Sequence, residues 1–111
     1  MTKKDLVTQI SRDTGLDEDD VYAVVQRALE LMMDALARGE PIELRNFGIF
    51  RVRWQRARIG RNPHQPEEAV PIPARPAIKF KPGKRLRERV LQLSEEQVLR
   101  AQVVHPDGLN G

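Results

Sequence analysis

Leu6, Val7 and Ile10 form one apolar side of residues 3–13, which predicts a short amphipathic helix. Thr2 with Asp5 three residues on reads as its capping box, and Gly15 as its stop. Val21, Val24, Val25, Ala28, Leu29, Met32 and Leu36 keep helical spacing through a second, longer helix ended by Gly39. Asp17 is its predicted N-cap, and Glu18, Asp19 and Asp20 sit where the positive end of the helix dipole favours anions. These four acids lack the alternating ligands, central glycine and distal glutamate of a calcium loop, so no metal is expected there.

The period then changes to two. Ile42–Arg45 reads as a short strand and Asn46-Phe47-Gly48 as a turn. Residues 49–59 read as one long strand in which Phe50, Val52 and Trp54 alternate with Arg51 and Arg53. Beyond Trp54 the side chains become mostly arginine, as in a ribbon that leaves the body. Val70, Ile72, Ala74, Ile78 and Phe80 alternate on the return, with a tip near Asn62–Glu68. Pro71 and Pro73 share one parity and fit an outer edge; Pro76 has the other, which predicts a bulge or pairing break near Arg75–Ala77. Pro82-Gly83 introduces a third helix, Lys84 to Leu93, whose first turn is cationic against dipole preference. Ser94-x-x-Gln97 is a second capping box, opening a last helix through about Val103 that His105-Pro106-Asp107-Gly108 closes. Phe47, Phe50 and Phe80 are expected in the core, and Trp54 against the body or a partner.

At 111 residues, 40% apolar and 32% charged, the chain suits one globular domain. A chain this size buries only about 65% of its unfolded surface, so association would help it. Cysteine is absent, which removes disulfides and thiolate chemistry. No apolar run approaches the roughly 20 residues that span a bilayer, and no apolar signal core follows Met1, so a cytoplasmic, membrane-free location is expected. The net charge of +3 hides a segregation: residues 1–44 carry −5, residues 45–89 carry +10 and residues 90–111 carry −2. Ten of the thirteen central cations are arginine, the side chain suited to forked phosphate contacts. With two isolated histidines and acids placed at helix starts, no catalytic set, cofactor or small-molecule substrate is expected.

Four segments together resemble one family: Gly39-Glu40-Pro41-Ile42-Glu43-Leu44, Asn46-Phe47-Gly48-Ile49-Phe50, Gly60-Arg61-Asn62-Pro63 and Phe80-Lys81-Pro82-Gly83-Lys84. With the element order, they resemble the bacterial HU and integration host factor family of histone-like DNA-bending proteins. The resemblance covers roughly residues 1–93, leaving 94–111 as a helical extension and tail. It implies an α+β fold: an N-terminal helical pair, a short antiparallel sheet with a long two-stranded β-arm, and a C-terminal helix, in an intertwined dimer. It also implies that double-stranded DNA is the partner, gripped in the minor groove and bent with weak sequence preference in the nucleoid. On the same footing Pro63 is the wedge between base steps, and Arg58, Arg61 and Asn62 follow the groove. Lys79, Lys81, Lys84 and Arg85 meet phosphates, Gly83 lets a helix N-terminus approach one, and Lys3 is a weaker candidate. Arg45, Arg53, Arg56 and Arg75 complete the set assigned to DNA.

The match departs at the tip, where Gln65-Pro66 stands in place of the common Thr-Gly and the return strand is about one residue longer near Ala69. A stiffer tip with Glu67 and Glu68 beside it leads to an expectation of shallower insertion. Asn46 replaces the glycine usual before Phe-Gly, and asparagine suits a turn of positive φ. Glu43 and Arg45, two apart, could pair and orient Arg45. The alternatives are a subunit of a site-preferring integration-host-factor-like heterodimer and an RNA- or acidic-protein-binding module. Slender arms fit the wide, shallow minor groove of A-form RNA poorly.

Overall fold

The computed structural model describes residues 1–104, and the expected His105–Gly108 closure lies outside them. The first helix, α1 (Lys3–Thr14), begins where Thr2 and Asp5 cap each other. The Asp5 amide donates to Thr2 Oγ1 at 3.1 Å and the Thr2 amide donates to Asp5 Oδ2 at 2.9 Å. Gly15 ends it in the left-handed conformation at φ 74°, its N–H donating to the Ser11 carbonyl. The second helix, α2 (Glu18–Ala37), starts at Asp17, but the Asp17 side chain makes no capping hydrogen bond, contrary to expectation. The first turn relies instead on the dipole-matched Glu18, Asp19 and Asp20 and on the Val21 amide donating to the Asp17 carbonyl. Glu18 is also tied to α1 by the Thr8 hydroxyl, 3.0 Å away.

Five strands and two helices follow: β1 (Ile42–Leu44), β2 (Gly48–Gln55), β3 (Arg58–Asn62), β4 (Gln65–Ile72), β5 (Arg75–Pro82), α3 (Lys84–Val90) and α4 (Glu95–Val104). They form a three-stranded sheet in the order β1-β2-β5 and a separate ribbon, β3-β4. The single long strand expected over residues 49–59 is therefore two strands, interrupted at Arg56–Ala57. The return breaks at Pro73–Ala74, immediately before the expected Arg75–Ala77, and β5 runs on through Pro76. Pro73 carries no N–H to continue a ladder, whereas Pro76, near the start of β5, removes a donor where the cost is small. The third helix ends at Val90, short of the expected Leu93, because the chain must leave helical geometry before Ser94 caps α4. There the Ser94 amide donates to Gln97 Oε1 at 2.8 Å and the Gln97 amide to Ser94 Oγ at 3.2 Å.

The chain folds as two compact units. In the first, Met1–Ile42 with Phe50–Lys79, α1 packs on α2 through Val7 and Val21, 5% and 3% exposed. These two are the buried hydrophobic side chains among the described residues. Trp54, in the same unit, is 69% exposed. In the second unit, Glu43–Ile49 with the chain from Phe80 onward, the Phe47 and Phe80 rings meet at 5.6 Å in a tilted pair. Both stay open, at 48% and 40% exposed, and Phe50 of the first unit is half-buried. Among the described residues the expected aromatic core is thus not closed.

The capping box makes a testable point. Hydrogen bonds from the Thr2 backbone and then its side chain hold the Asp5 carboxyl below its ordinary value of 3.8. A depressed carboxylate adds stability above its unfolded value, and that stability is lost as pH falls through the folded one. Thr2→Ala is expected to raise the Asp5 value toward 3.8 and shrink this acid-labile contribution, read by carboxyl-detected NMR titration.

Candidate nucleic-acid interface

The arm is built by the β3-β4 register, which pairs Arg58 with Ile72, Ile59 with Pro71, Gly60 with Val70 and Arg61 with Ala69. Directly opposed residues of an antiparallel pair share a face. Arg58, Gly60, Val70 and Ile72 therefore line one side, and Ile59, Arg61, Ala69 and Pro71 the other. Each face carries one guanidinium, and six of the eight paired positions are uncharged. The arm is less arginine-dense than its sequence suggests, because Arg56 lies in the interruption below it and Arg75 on the far side of the opposing gap.

At the tip, Asn62 pairs with Gln65 across the Pro63-His64 turn. The His64 amide donates to Asn62 Oδ1 at 3.0 Å, so Asn62 shapes the turn with the very oxygen that a groove contact would otherwise use. The register then slips between Asn62 and Arg61, and Pro66-Glu67-Glu68 fall in the slip. The slip adjoins Ala69, the position of the expected extra residue. Pro63 is exposed at the end of the arm.

Arg45, Arg53, Arg56, Arg58, Arg75, Lys79, Lys81 and Arg85 are exposed and form no ion pair among the described residues. Arg61 is exposed as well. Lys84 lies 3.9 Å from Glu88, one turn on, a solvent-facing pair of little strength. The expected Glu43–Arg45 pair does not form, since Arg45 falls in the turn after β1. Lys3 is engaged within its own unit: its ammonium donates to Gln26 Oε1 at 2.5 Å and sits 5.0 Å from the centre of the Tyr22 ring.

Gly83 has a local reason to be glycine that the sequence reading missed. Its N–H donates to the Phe47 carbonyl at 2.8 Å, and the Leu86 amide donates to the Asn46 carbonyl. A Cβ there would lie 3.1 Å from the Asn46 carbonyl carbon and 3.2 Å from that of Phe47. The start of α3 is thus sealed onto the Asn46-Phe47 turn, in which Asn46 takes φ 69° as expected. Gly48 is equally confined: a Cβ would meet the Phe80 ring at 2.5 Å and the Lys81 carbonyl at 2.7 Å. These contacts hold Lys81 and Lys84 on either side of one fixed turn.

A slender ribbon with solvent-exposed cations suits contact with an extended anion. No helix among the described residues is long and apolar enough to cross a membrane. The profile of the family described as "Bacterial DNA-binding protein" matches residues 1–91. The chain is 42% identical over 90 residues to DNA-binding protein HU of Thermotoga maritima, covering 81% of this chain and 99% of that one. It is 44% identical over 103 residues to the integration host factor subunit beta of Halorhodospira halophila, covering 92% and 100%. Among solved structures, an Anabaena HU–DNA cocrystal structure superposes with a TM-score of 0.72 at 34% identity, over 84% of this chain and all of that one. The chain belongs to the family of bacterial DNA-binding proteins that includes HU and the integration host factor subunits.

Because Gly83 seals a turn, Gly83→Ala is expected to destabilise the fold by about 1–3 kcal/mol through overpacking against backbone. Thermal melting of the protein without DNA measures this; an unchanged midpoint would assign the glycine to ligand approach alone.

Proposed function

We propose that the protein is an architectural DNA binder. Two copies form a dimer whose arms enter the minor groove of duplex DNA and bend it, with weak sequence preference. The observation that carries this reading is the arm: a paired ribbon whose two arginines, Arg58 and Arg61, are exposed to solvent. Duplex DNA as the ligand is supported by the Anabaena relative, which was crystallised with DNA. Dimerisation is supported by how little a single chain buries.

Residues 1–93 carry the DNA-binding work in this reading, with 94–111 as an appendage, and the protein acts in the bacterial nucleoid. Pro63 is the wedge that opens a base step; unstacking costs a few kcal/mol, offset by the duplex surface the bend brings onto the protein. Arg58 and Arg61, one on each face, reach opposite walls of the groove. Arg53, Arg56, Arg75, Lys79, Lys81, Lys84, Arg85 and Arg45 neutralise phosphates nearer the body. Asn62 acts chiefly by holding the turn that presents Pro63. Lys3, already bound to Gln26 and Tyr22, contributes least.

Binding to a random-sequence duplex is expected to weaken linearly in log–log salt dependence, with a slope of about −0.9 per phosphate neutralised. Arg58→Ala and Arg61→Ala should each reduce the slope by about 1. Affinity independent of salt would remove the mechanism. Pro63→Ala, with Pro66 kept, is expected to lower the bend angle read by end-to-end energy transfer while leaving the salt slope unchanged. A bend angle insensitive to this substitution would mean that the tip does not insert.

A further inference from the structure

The ribbon carries no net charge while its histidine is neutral. Its charged residues are Arg58 and Arg61 on β3 and Glu67 and Glu68 on β4, two of each sign and all exposed. β3 and β4 pair with each other as a separate two-stranded sheet, so these are the charged groups that the elements around the tip present to it. The remaining titratable side chain of the arm is His64, exposed in the turn that joins the two strands. Histidine is the side chain that ordinarily changes charge between about pH 5 and 8. One proton there moves the whole arm from neutral to cationic.

His64 is also placed where that charge counts. Its backbone N–H is engaged in the turn, donating to Asn62 Oδ1 at 3.0 Å. Its imidazole makes no hydrogen bond or ion pair among the described residues. It follows Pro63 directly, across a trans peptide that sets neighbouring Cα atoms about 3.8 Å apart. A tip that carries Pro63 to a base step therefore carries the imidazole in beside the phosphates that flank the groove.

We propose that His64 is a further DNA-binding residue that engages the duplex as the imidazolium, so that insertion of the arm takes up a proton. The inference rests on the DNA-binding reading and deepens it by making the grip of the tip depend on pH. In the free protein Glu67 and Glu68 favour the charged ring while Arg58 and Arg61 oppose it, and the two pairs offset. In the complex the phosphates of both strands favour it, so the complex holds the ring proton more tightly than the free protein does. Affinity gained this way is fully present below the titration of the free protein and is lost as pH rises through that of the complex.

The test compares binding of a random-sequence duplex at about pH 6 and about pH 8 by the wild-type, His64→Gln and His64→Lys proteins. Proton uptake is read by calorimetry in buffers of different ionisation heat. His64→Gln keeps the backbone donor of the turn and loses the titration, whereas His64→Lys keeps a fixed charge. The wild type is expected to bind several-fold more tightly at the lower pH, with a salt slope steeper there by about 0.9 per arm. Net proton uptake should accompany its binding near neutral pH. His64→Gln should lose both the pH dependence and the uptake, and His64→Lys should bind at either pH as the wild type does at the lower one. Wild-type affinity and salt slope that ignore pH would overturn the proposal. So would proton uptake that persists in His64→Gln, which assigns the linkage to another group such as His105 or the N-terminal amine. Failure of the wild type to bind the duplex at low salt at both pH values would instead bring down the DNA-binding reading, and this inference with it.

Discussion

Among the described residues, a single copy of this chain buries almost no apolar side chain. Val7 and Val21 are its buried hydrophobic side chains among the described residues, while Phe47, Phe80, Leu29, Leu31 and Met33 stand open to water. Hydrophobic burial is the main favourable term in folding, and here it is nearly missing within the chain. On the dimer reading proposed above, a second copy meets this deficit, and folding and association are then one event.

The arm has the opposite problem. It must stay ordered with hardly any body to lean on. Its order comes from local devices: the Asn62 oxygen that closes the tip, the glycine that makes room for Ile72, and prolines that stiffen the return strand. Each proline restricts the unfolded backbone as well as the folded one, so rigidity is obtained without packing. Charge is spread thinly on this frame, one guanidinium to each paired face. The denser cations stand nearer the body, at Lys79, Lys81, Lys84 and Arg85, where the backbone is anchored by the Gly48 and Gly83 contacts.

Much of this was legible in the sequence because it is local. The Thr2–Asp5 and Ser94–Gln97 boxes, the Gly15 stop, the positive φ of Asn46 and the irregular stretch before Ala69 all follow from residues a few positions apart. The errors arose where the deciding partner is distant or absent. Asp17 looked like a cap, but its side chain makes no such bond, and acidic dipole matching alone cannot say which side chain will. Three prolines made a break in the return strand foreseeable, yet its position depended on which one met the opposing interruption at Arg56–Ala57. The aromatic residues looked like core because one sequence does not show that a core can be shared between copies. The packing role of Gly83 has no local signal, because its nearest neighbours are the Asn46 and Phe47 carbonyl groups, far back in the chain. The apolar faces of the arm emerge only once the register pairs Ile59 with Pro71 and Gly60 with Val70.

The facing interruptions at Arg56–Ala57 and Pro73–Ala74 leave the ribbon joined to its root by two short lengths of backbone outside either sheet. Flexing there breaks no rung of either ladder. In the DNA-binding role proposed above, this junction is where the distal ribbon would adjust to helices of different curvature.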